Sequence, residues 1–461
     1  MSELAPSRLL FSGAGQWWLP ASPSERRAGR LECLVDRGVR LKLTGSFGDI
    51  EQRHTWPDVV LGELDDGTNA TLLRCWRADI LELCAGSAIP SDARFAAETA
   101  LVGRHFDSPE AAAFESVEVS YLGLLEWLGP GAFSGRSRNG AQTWHHTAIP
   151  NLSISVGDQV LGLKTAFAAD EDPSVWLNHE KLLYLTCSRN QVLPFSSWRS
   201  GFLALIRDFL TFAMRQDTPP VRIRAFPANA KPEEVVDIYL YGMAHPQDEV
   251  FSRRTRVLFW YFSRPGSAES ALSEWLAKAD TLESVRVLHC ELLRRPELPI
   301  RLQFLLAMQS LEAFHRCTRE GVYLLKEEWE PVIQTLEKAV KSAATGGLKD
   351  SLVQRLKYGN EYSLRKRLTE LVTEYKKGLG DTEMPVGAMV DKRNELTHPK
   401  NPTHPSQAEI EDISLLTELA QALTEACLLS ALGLSEDFIR DRVGQEEQCR
   451  SASDEWKRRH P

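Results

Sequence analysis

The sequence predicts an α+β protein: a mainly β N-terminal domain at 1–265, an all-helical bundle domain at 266–440 and a polar tail at 441–461. Short β-prone runs separated by Gly, Pro and Asp recur from about residue 10 to residue 260. Beyond about residue 265 the apolar residues take up the spacing of amphipathic helices. The 461 residues are 43% apolar, ample for two packed cores.

The β runs are RLECLVD, VRLKLTGSF, TLLRCW, SVEVSYLGLLEW, LSISV, KLLYLTC and VVDIYLY. One stretch, WRSGFLALIRDFLTFAM at 198–214, instead repeats Phe202, Leu205, Ile206, Phe209 and Leu210 at helical spacing, and is read as a helix packed on the sheets. Trp17 and Trp18 are either a stacking surface for a base or sugar ring or part of the core, the commoner fate. In the second half, SAESALSEWLAKAD, TLESVRVLHCELLRR and RLQFLLAMQSLEAFHRC (301–317) read as helices. Further helices follow at 324–345, ended by Gly346 and Gly347, at 363–377, at about 384–398 and at 406–433, giving a domain core of about 297–433. Ser363 suits an N-cap, and the three prolines of PKNPTHPS (399–406) interrupt any helix. The tail from about 440 is polar and poorly patterned, so it is expected to be frayed.

A net charge of −9 and a pI near 5.8 argue against a protein that coats nucleic acid, so any RNA contact must be local. The eight cysteines, Cys33, Cys75, Cys84, Cys187, Cys290, Cys317, Cys427 and Cys449, include no CxxC pair and suggest neither a disulfide framework nor a zinc ribbon. His398, His404 and Cys317 lack metal-ligand spacing, as do the adjacent His145 and His146, so neither a metal nor a cofactor is expected. Walker loops, GxGxxG turns and GxSxG elbows are all missing from the sequence. The N-terminus lacks the pattern of a signal peptide and no run approaches the ~20 apolar residues of a membrane span, so the expected location is the cytoplasm.

The chemistry-bearing residues lie in VDKRNELTHPK, at the C-terminal end of a predicted helix. Asn394 and His398 are one helical turn apart, while Arg393 lies about 140° from His398 around the axis. Free carbonyls in the last turn favour a protonated imidazole, and Pro399 stops the helix behind it. RNA carries its own nucleophile, the 2′-hydroxyl, so its cleavage needs no metal-bound water. His398 can move protons, Arg393 can offset charge growing on the phosphate, and Asn394 can orient the reacting group. By itself an Arg and a His at this spacing is a weak signal, since such surface clusters are common and usually solvated.

The surrounding sequence is more specific. The RNxxxH pattern near the end of an all-helical domain resembles the HEPN superfamily, whose ribonucleases carry an Rx4-6H motif. RLQFLLAMQSLEAFHR (301–316) and RLKYGNEYSLRKRLTELV (355–372) resemble the HEPN subfamily of ApeA-type abortive-infection proteins. GQWWLP, followed by AGRLECLVDRGVRLKLTGSF, resembles the ApeA N-terminal domain, so the resemblance runs in order over nearly the whole chain. It implies a cytoplasmic anti-phage ribonuclease that dimerises through its HEPN helices, pairs two motifs in one composite site and leaves a cyclic phosphate on the cleaved RNA. By motif matching, Arg393 and His398 are carried over as catalytic and Asn394 as their polar companion. A sensor role for the N-terminal domain, answering a phage-encoded trigger, rests on analogy alone.

Residues 351–400 hold ten Lys and Arg against seven Asp and Glu, a balance of +3 within an acidic chain. A phosphate-facing patch of Lys392, Arg365, Arg367 and Lys400 follows from that excess, with tRNA or another structured RNA as the expected substrate; the competing reading of LRKRL is a solvated helix face. His315, beside Arg316 and Glu312, could face the site, although a histidine on an amphipathic helix is more often a packing residue. Two other functions stay open at this level: a non-catalytic HEPN scaffold for dimerisation or ligand binding, and a phage-sensing adaptor whose nuclease is secondary.

Overall fold

The computed structural model describes residues 8–47, 57–78, 92–128, 133–138, 141–146, 153–167, 181–231, 234–246, 248, 257–261, 267–398 and 406–461. The chain is α+β, a β-rich region followed by helices, and divides into two compact units, Met1–Glu269 and Ser270–Pro461.

In the first unit, six antiparallel strands close on themselves: β1 (Leu9–Trp18), β2 (Arg27–Leu34), β3 (Gly38–Leu43), β4 (Val59–Leu64), β5 (Asn69–Arg77) and β6 (Ala93–Val102). They run in the order β6-β3-β2-β1-β4-β5, and β5 pairs again with β6, so this barrel has no free edge. Alternate residues point inward, as the period of two in these runs requires: Leu31 and Cys33 from β2, Val39, Leu41 and Leu43 from β3, and Phe95 and Ala97 from β6 all join one core. Trp17 is buried within that core, which favours the packing fate over a stacking platform. Its ring lies on Gly62, where a β-carbon would come within 2.3 Å of it, so only glycine fits. Trp18 is also buried, with the Arg26 guanidinium over its ring and His105 against its edge.

Strand β6 is shared. Its first half, Ala93 to Ala97, pairs with β3, and its second half, Thr99 to Val102, pairs with a later strand of a second antiparallel sheet. That sheet comprises β7 (Ala113–Tyr121), β10 (Ser153–Val156), β11 (Gln159–Phe167), β12 (Lys181–Pro194), β13 (Pro220–Phe226) and β14 (Val236–Leu240), in the order β10-β11-β12-β7-β13-β14. Strands β8 (Phe133–Arg138) and β9 (Ala141–His146) form a separate hairpin. The predicted helix at 198–214 starts earlier and is interrupted: α2 (Phe195–Trp198), a π turn (Arg199–Leu203), then α3 (Ala204–Met214), following the short α1 (Leu124–Leu128). It packs through Phe209 against Trp127 of α1, and is fixed by hydrogen bonds donated by the Tyr121 hydroxyl to the Leu203 carbonyl (2.8 Å) and by the Trp198 indole to the Phe114 carbonyl (3.1 Å).

The second unit is helical. Helices α4 (Ser267–Ala277), α5 (Glu283–Arg294), α6 (Ile300–Thr318), α7 (Lys326–Ala343), α8 (Gly346–Leu356), α9 (Leu364–Glu374), α10 (Lys376–Leu379), α11 (Val386–Thr397), α12 (Gln407–Ala431), α13 (Glu436–Ile439) and α14 (Glu447–Arg459) follow in order, with α4 starting just before the division between the units. Helix α12 is the axis of the bundle. Its residues from Leu419 to Leu429 are buried almost all round, apart from Gln421, and α5, α6, α9 and α14 build the rest of the core. It alone among the described helices is long and apolar enough to cross a membrane by composition, yet 72% of that apolar window is buried inside the protein. Ser406 and Glu409 form a capping box at its start, and Ser363 caps α9 by accepting the Lys366 N–H.

The helix read at 324–345 stops at Ala343, just ahead of Gly346 and Gly347, and that pair also opens α8, with Gly346 at φ +59°, which takes the turn that a side chain would resist. One expectation fails here. The tail expected to fray at 441–461 is instead folded, because α14 buries Cys449, Ala452 and Trp456 against the bundle. Its three apolar anchors are too widely spaced among charges to stand out in sequence.

Candidate active site

Helix α11 carries the motif and is anchored by Met389 and Val390, its two buried residues. The rest of its surface is open, which leaves Asn394 and His398 exposed and Arg393 half-buried. His398 lies one residue beyond the helix rather than in its last turn: its backbone has left helical geometry at φ −131°, ψ 61°, while its N–H still donates to the Asn394 carbonyl at 2.9 Å. The imidazole therefore projects from a cap. Among the described residues no hydrogen bond or ion pair engages it. The Thr397 hydroxyl donates to the Arg393 carbonyl (2.9 Å) and the Asn394 carbonyl (3.2 Å), satisfying acceptors that a helix end leaves open.

Arg393 is held from two sides. One guanidinium nitrogen donates to the Asn394 side-chain oxygen at 3.3 Å, and another lies 3.7 Å from a carboxylate oxygen of Glu312 on α6. The first contact fixes the Asn394 amide with its NH2 group turned away from Arg393. Glu312 also accepts two hydrogen bonds from Arg316, each 3.2 Å, and Arg316 donates to Glu361 at 2.9 Å. Glu361 in turn meets the buried Arg367 at 3.4 Å. Alternating charges thus run from the interior to the motif arginine. Sequence reasoning noted Glu312 only as a neighbour of His315; its i,i+4 spacing to Arg316 was legible, but its pairing with Arg393 was not.

The proposed phosphate patch is only partly supported. Arg367 is 2% exposed and spends its guanidinium on the Tyr362 carbonyl, Glu361 and His315, so it cannot reach an RNA backbone; that assignment is corrected. Lys392 is largely covered and bonded to Glu395 at 2.7 Å, whereas Arg365 is exposed and paired with the exposed Asp391 at 2.9 Å, an arrangement that opens at little cost. Lys400, Pro399 and His404 lie outside the described residues. His315 is fully buried between Arg367 and Glu370, facing no site. Of the residues grouped in sequence with metals, Cys317 is half-buried with its thiol donating to the Phe314 carbonyl, and burial raises its pKa above the usual range. The side chains of His145 and His146 are outside the description.

Beside the motif, α5 and α6 form a groove of about 400 Å3 floored by Leu298, Leu302, Leu305 and Leu306, and Arg393 and Thr397 stand on its rim. Leu302 is 48% exposed, unusual for a leucine on a helix that otherwise buries its apolar face.

Comparison with known families finds two matches: ApeA N-terminal domain 1 over residues 13–275, and Apea-like HEPN over residues 305–438. The second match contains Glu312, Arg367, Arg393 and His398. No curated protein and no solved structure matches the chain significantly. HEPN domains generally dimerise and act as ribonucleases. With an ApeA N-terminal domain spanning more than half of its length and an Apea-like HEPN domain behind it, the chain belongs to the ApeA family of anti-phage HEPN nucleases.

Proposed function

We propose that this protein is a metal-independent endoribonuclease whose catalytic residues are Arg393, Asn394 and His398. The observation that carries the reading is the end of α11, where an imidazole with no partner among the described residues follows an arginine already oriented by Glu312 and Asn394. The reaction is an internal transfer. The 2′-hydroxyl loses its proton and attacks the adjacent phosphorus, the bond to the 5′-oxygen breaks, and that oxygen takes up a proton, leaving a 2′,3′-cyclic phosphate and a 5′-hydroxyl. His398 moves one of these protons, and the Arg393 guanidinium faces the negative charge that builds on the phosphate oxygens. The Asn394 amide, fixed through its oxygen, offers its N–H groups to orient the phosphate or the hydroxyl.

A single motif supplies one imidazole for two proton transfers. A second copy related by a two-fold axis supplies the other, and the apolar groove beside Arg393 is the face through which the dimer forms. The substrate is tRNA or another structured RNA bound through few phosphates, in keeping with an acidic chain. The N-terminal unit holds the nuclease in check until a phage-encoded trigger arrives.

Incubation of the purified protein with total RNA in EDTA tests the chemistry. Wild type is expected to cleave, and His398→Ala to lose about 100- to 10,000-fold of that activity, the range for removal of a general acid or base. Equal cleavage by the two proteins would refute the assignment.

A further inference from the structure

The N-terminal unit holds a cavity of about 430 Å3 where β5, β6 and the start of α2 meet. Leu73, Pro109 and Phe195 give it an apolar lining, and three charged residues, Arg74, Glu98 and Arg199, stand together within it. The Glu98 carboxylate is shared: one oxygen accepts from Arg74 at 3.1 Å and the other from Arg199. Ser196 and Ser200 add hydroxyls at the mouth.

We propose that this cavity binds a small phosphorylated molecule of mononucleotide size, with Arg74 and Arg199 taking the phosphate and Glu98 acting as the internal stand-in that the phosphate displaces. The volume falls in the range of about 300–1,000 Å3 typical of small-ligand sites. Two guanidiniums carry more N–H donors than one carboxylate can accept, and the trio has an excess positive charge. A phosphate dianion offers more acceptor oxygens and more charge than Glu98, so it can outcompete the carboxylate for the same seat. The apolar walls suit the flat body of a base. Among the described residues no other Lys or Arg lines the cavity, which gives none of the run of cations that a nucleic-acid chain requires.

Backbone geometry supports a role beyond an ion pair. Arg74 sits inside β5 at φ +51°, a conformation that L side chains resist, and Arg199 opens the π turn that interrupts the α2–α3 helix. Ion pairs as exposed as these contribute too little to offset such irregularities. Both distortions place an arginine at the same cavity.

Calorimetric titration of the full chain with each of the four nucleoside monophosphates, beside its parent nucleoside, tests this. At least one monophosphate is expected to bind about ten-fold or more tightly than its nucleoside, Arg74→Ala and Arg199→Ala are each expected to weaken it about ten-fold, and Glu98→Gln, which removes the competitor, to tighten it. The Glu98 variant guards against a fold defect, because damage does not raise affinity. The proposal is overturned if no monophosphate binds below about 1 mM, if nucleosides bind as well as their monophosphates, or if Glu98→Gln weakens binding as the arginine variants do. None of these readouts involves RNA cleavage, so its outcome is separate from that of the nuclease assignment.

Discussion

Arg367 is a guanidinium with no route to solvent, in a sequence context, LRKRL, that looks like a charged surface. It is seated by Gly321, whose φ of +62° and lack of a β-carbon leave room for the guanidinium; a β-carbon there would lie 2.3 Å from it. Because a guanidinium only donates, the His315 Nδ1 must accept from Arg367 at 3.0 Å, and its Nε2–H donates to Glu370 at 2.9 Å. Burial holds the imidazole pKa below its usual 6.5, with Arg367 and Arg319 pushing the same way and Glu370 opposing. In the unfolded chain this histidine takes a proton as pH falls through about 6.5, while the folded one resists, so the unfolded state binds more protons. Its contribution to stability is therefore constant above that pH and is lost as pH falls through the lowered folded value. His315→Gln keeps an acceptor for Arg367 and a donor for Glu370 but cannot titrate. Urea unfolding at about pH 7.5 and 5.5 should show a fall in wild type, at most about 1.4 kcal/mol per pH unit from this group, that the variant lacks. Parallel behaviour of the two proteins would remove His315 as the proton-linked residue. Of the motif itself, residue types and spacing were legible in sequence, but the partner of Arg393 was not, since nothing local marks Glu312 as its neighbour.

Helices were legible where one face meets a core. Helix α6 buries Phe304, Ala307, Met308, Leu311 and Phe314, and that spacing predicts both its existence and its inward side. The α2–α3 helix shows the limit, because a π turn shifts the phase while apolar spacing still looks helical. The pair α7 and α8 is different again: neither has a buried residue, Leu325, Leu336 and Leu348 are exposed, and the two helices pack chiefly on each other. Pro331, within α7, further removes an internal hydrogen bond. Helices of this length without tertiary packing are marginal in water. Hydrogen exchange should therefore show Lys326–Leu356 losing protection well before α6 and α12, which sit at the centre of the bundle. Protection equal to that of α12 would mean that this pair is covered in solution by something further.

At the scale of the molecule, the proposed dimer would turn the motif into a site with two imidazoles, and its face can be tested directly. Leu302→Glu places a charge in the groove beside Arg393 without touching the helical core, since Leu302 is already 48% exposed. Light scattering should find the variant monomeric, with RNA cleavage lost alongside; a dimeric, fully active variant would move the interface elsewhere. The sequence by itself determined the change from strands to helices near residue 265, the inward faces of the regular elements and the position of the RNxxxH motif, because period and spacing are properties of neighbouring residues. Only tertiary structure decided that β5 returns to close a barrel on β6, that α14 is an integral part of the bundle, that Arg367 is interior, and that Glu312 holds Arg393. Each of these joins segments far apart in the chain, and which distant groups meet is fixed by how whole elements pack, which no local pattern records.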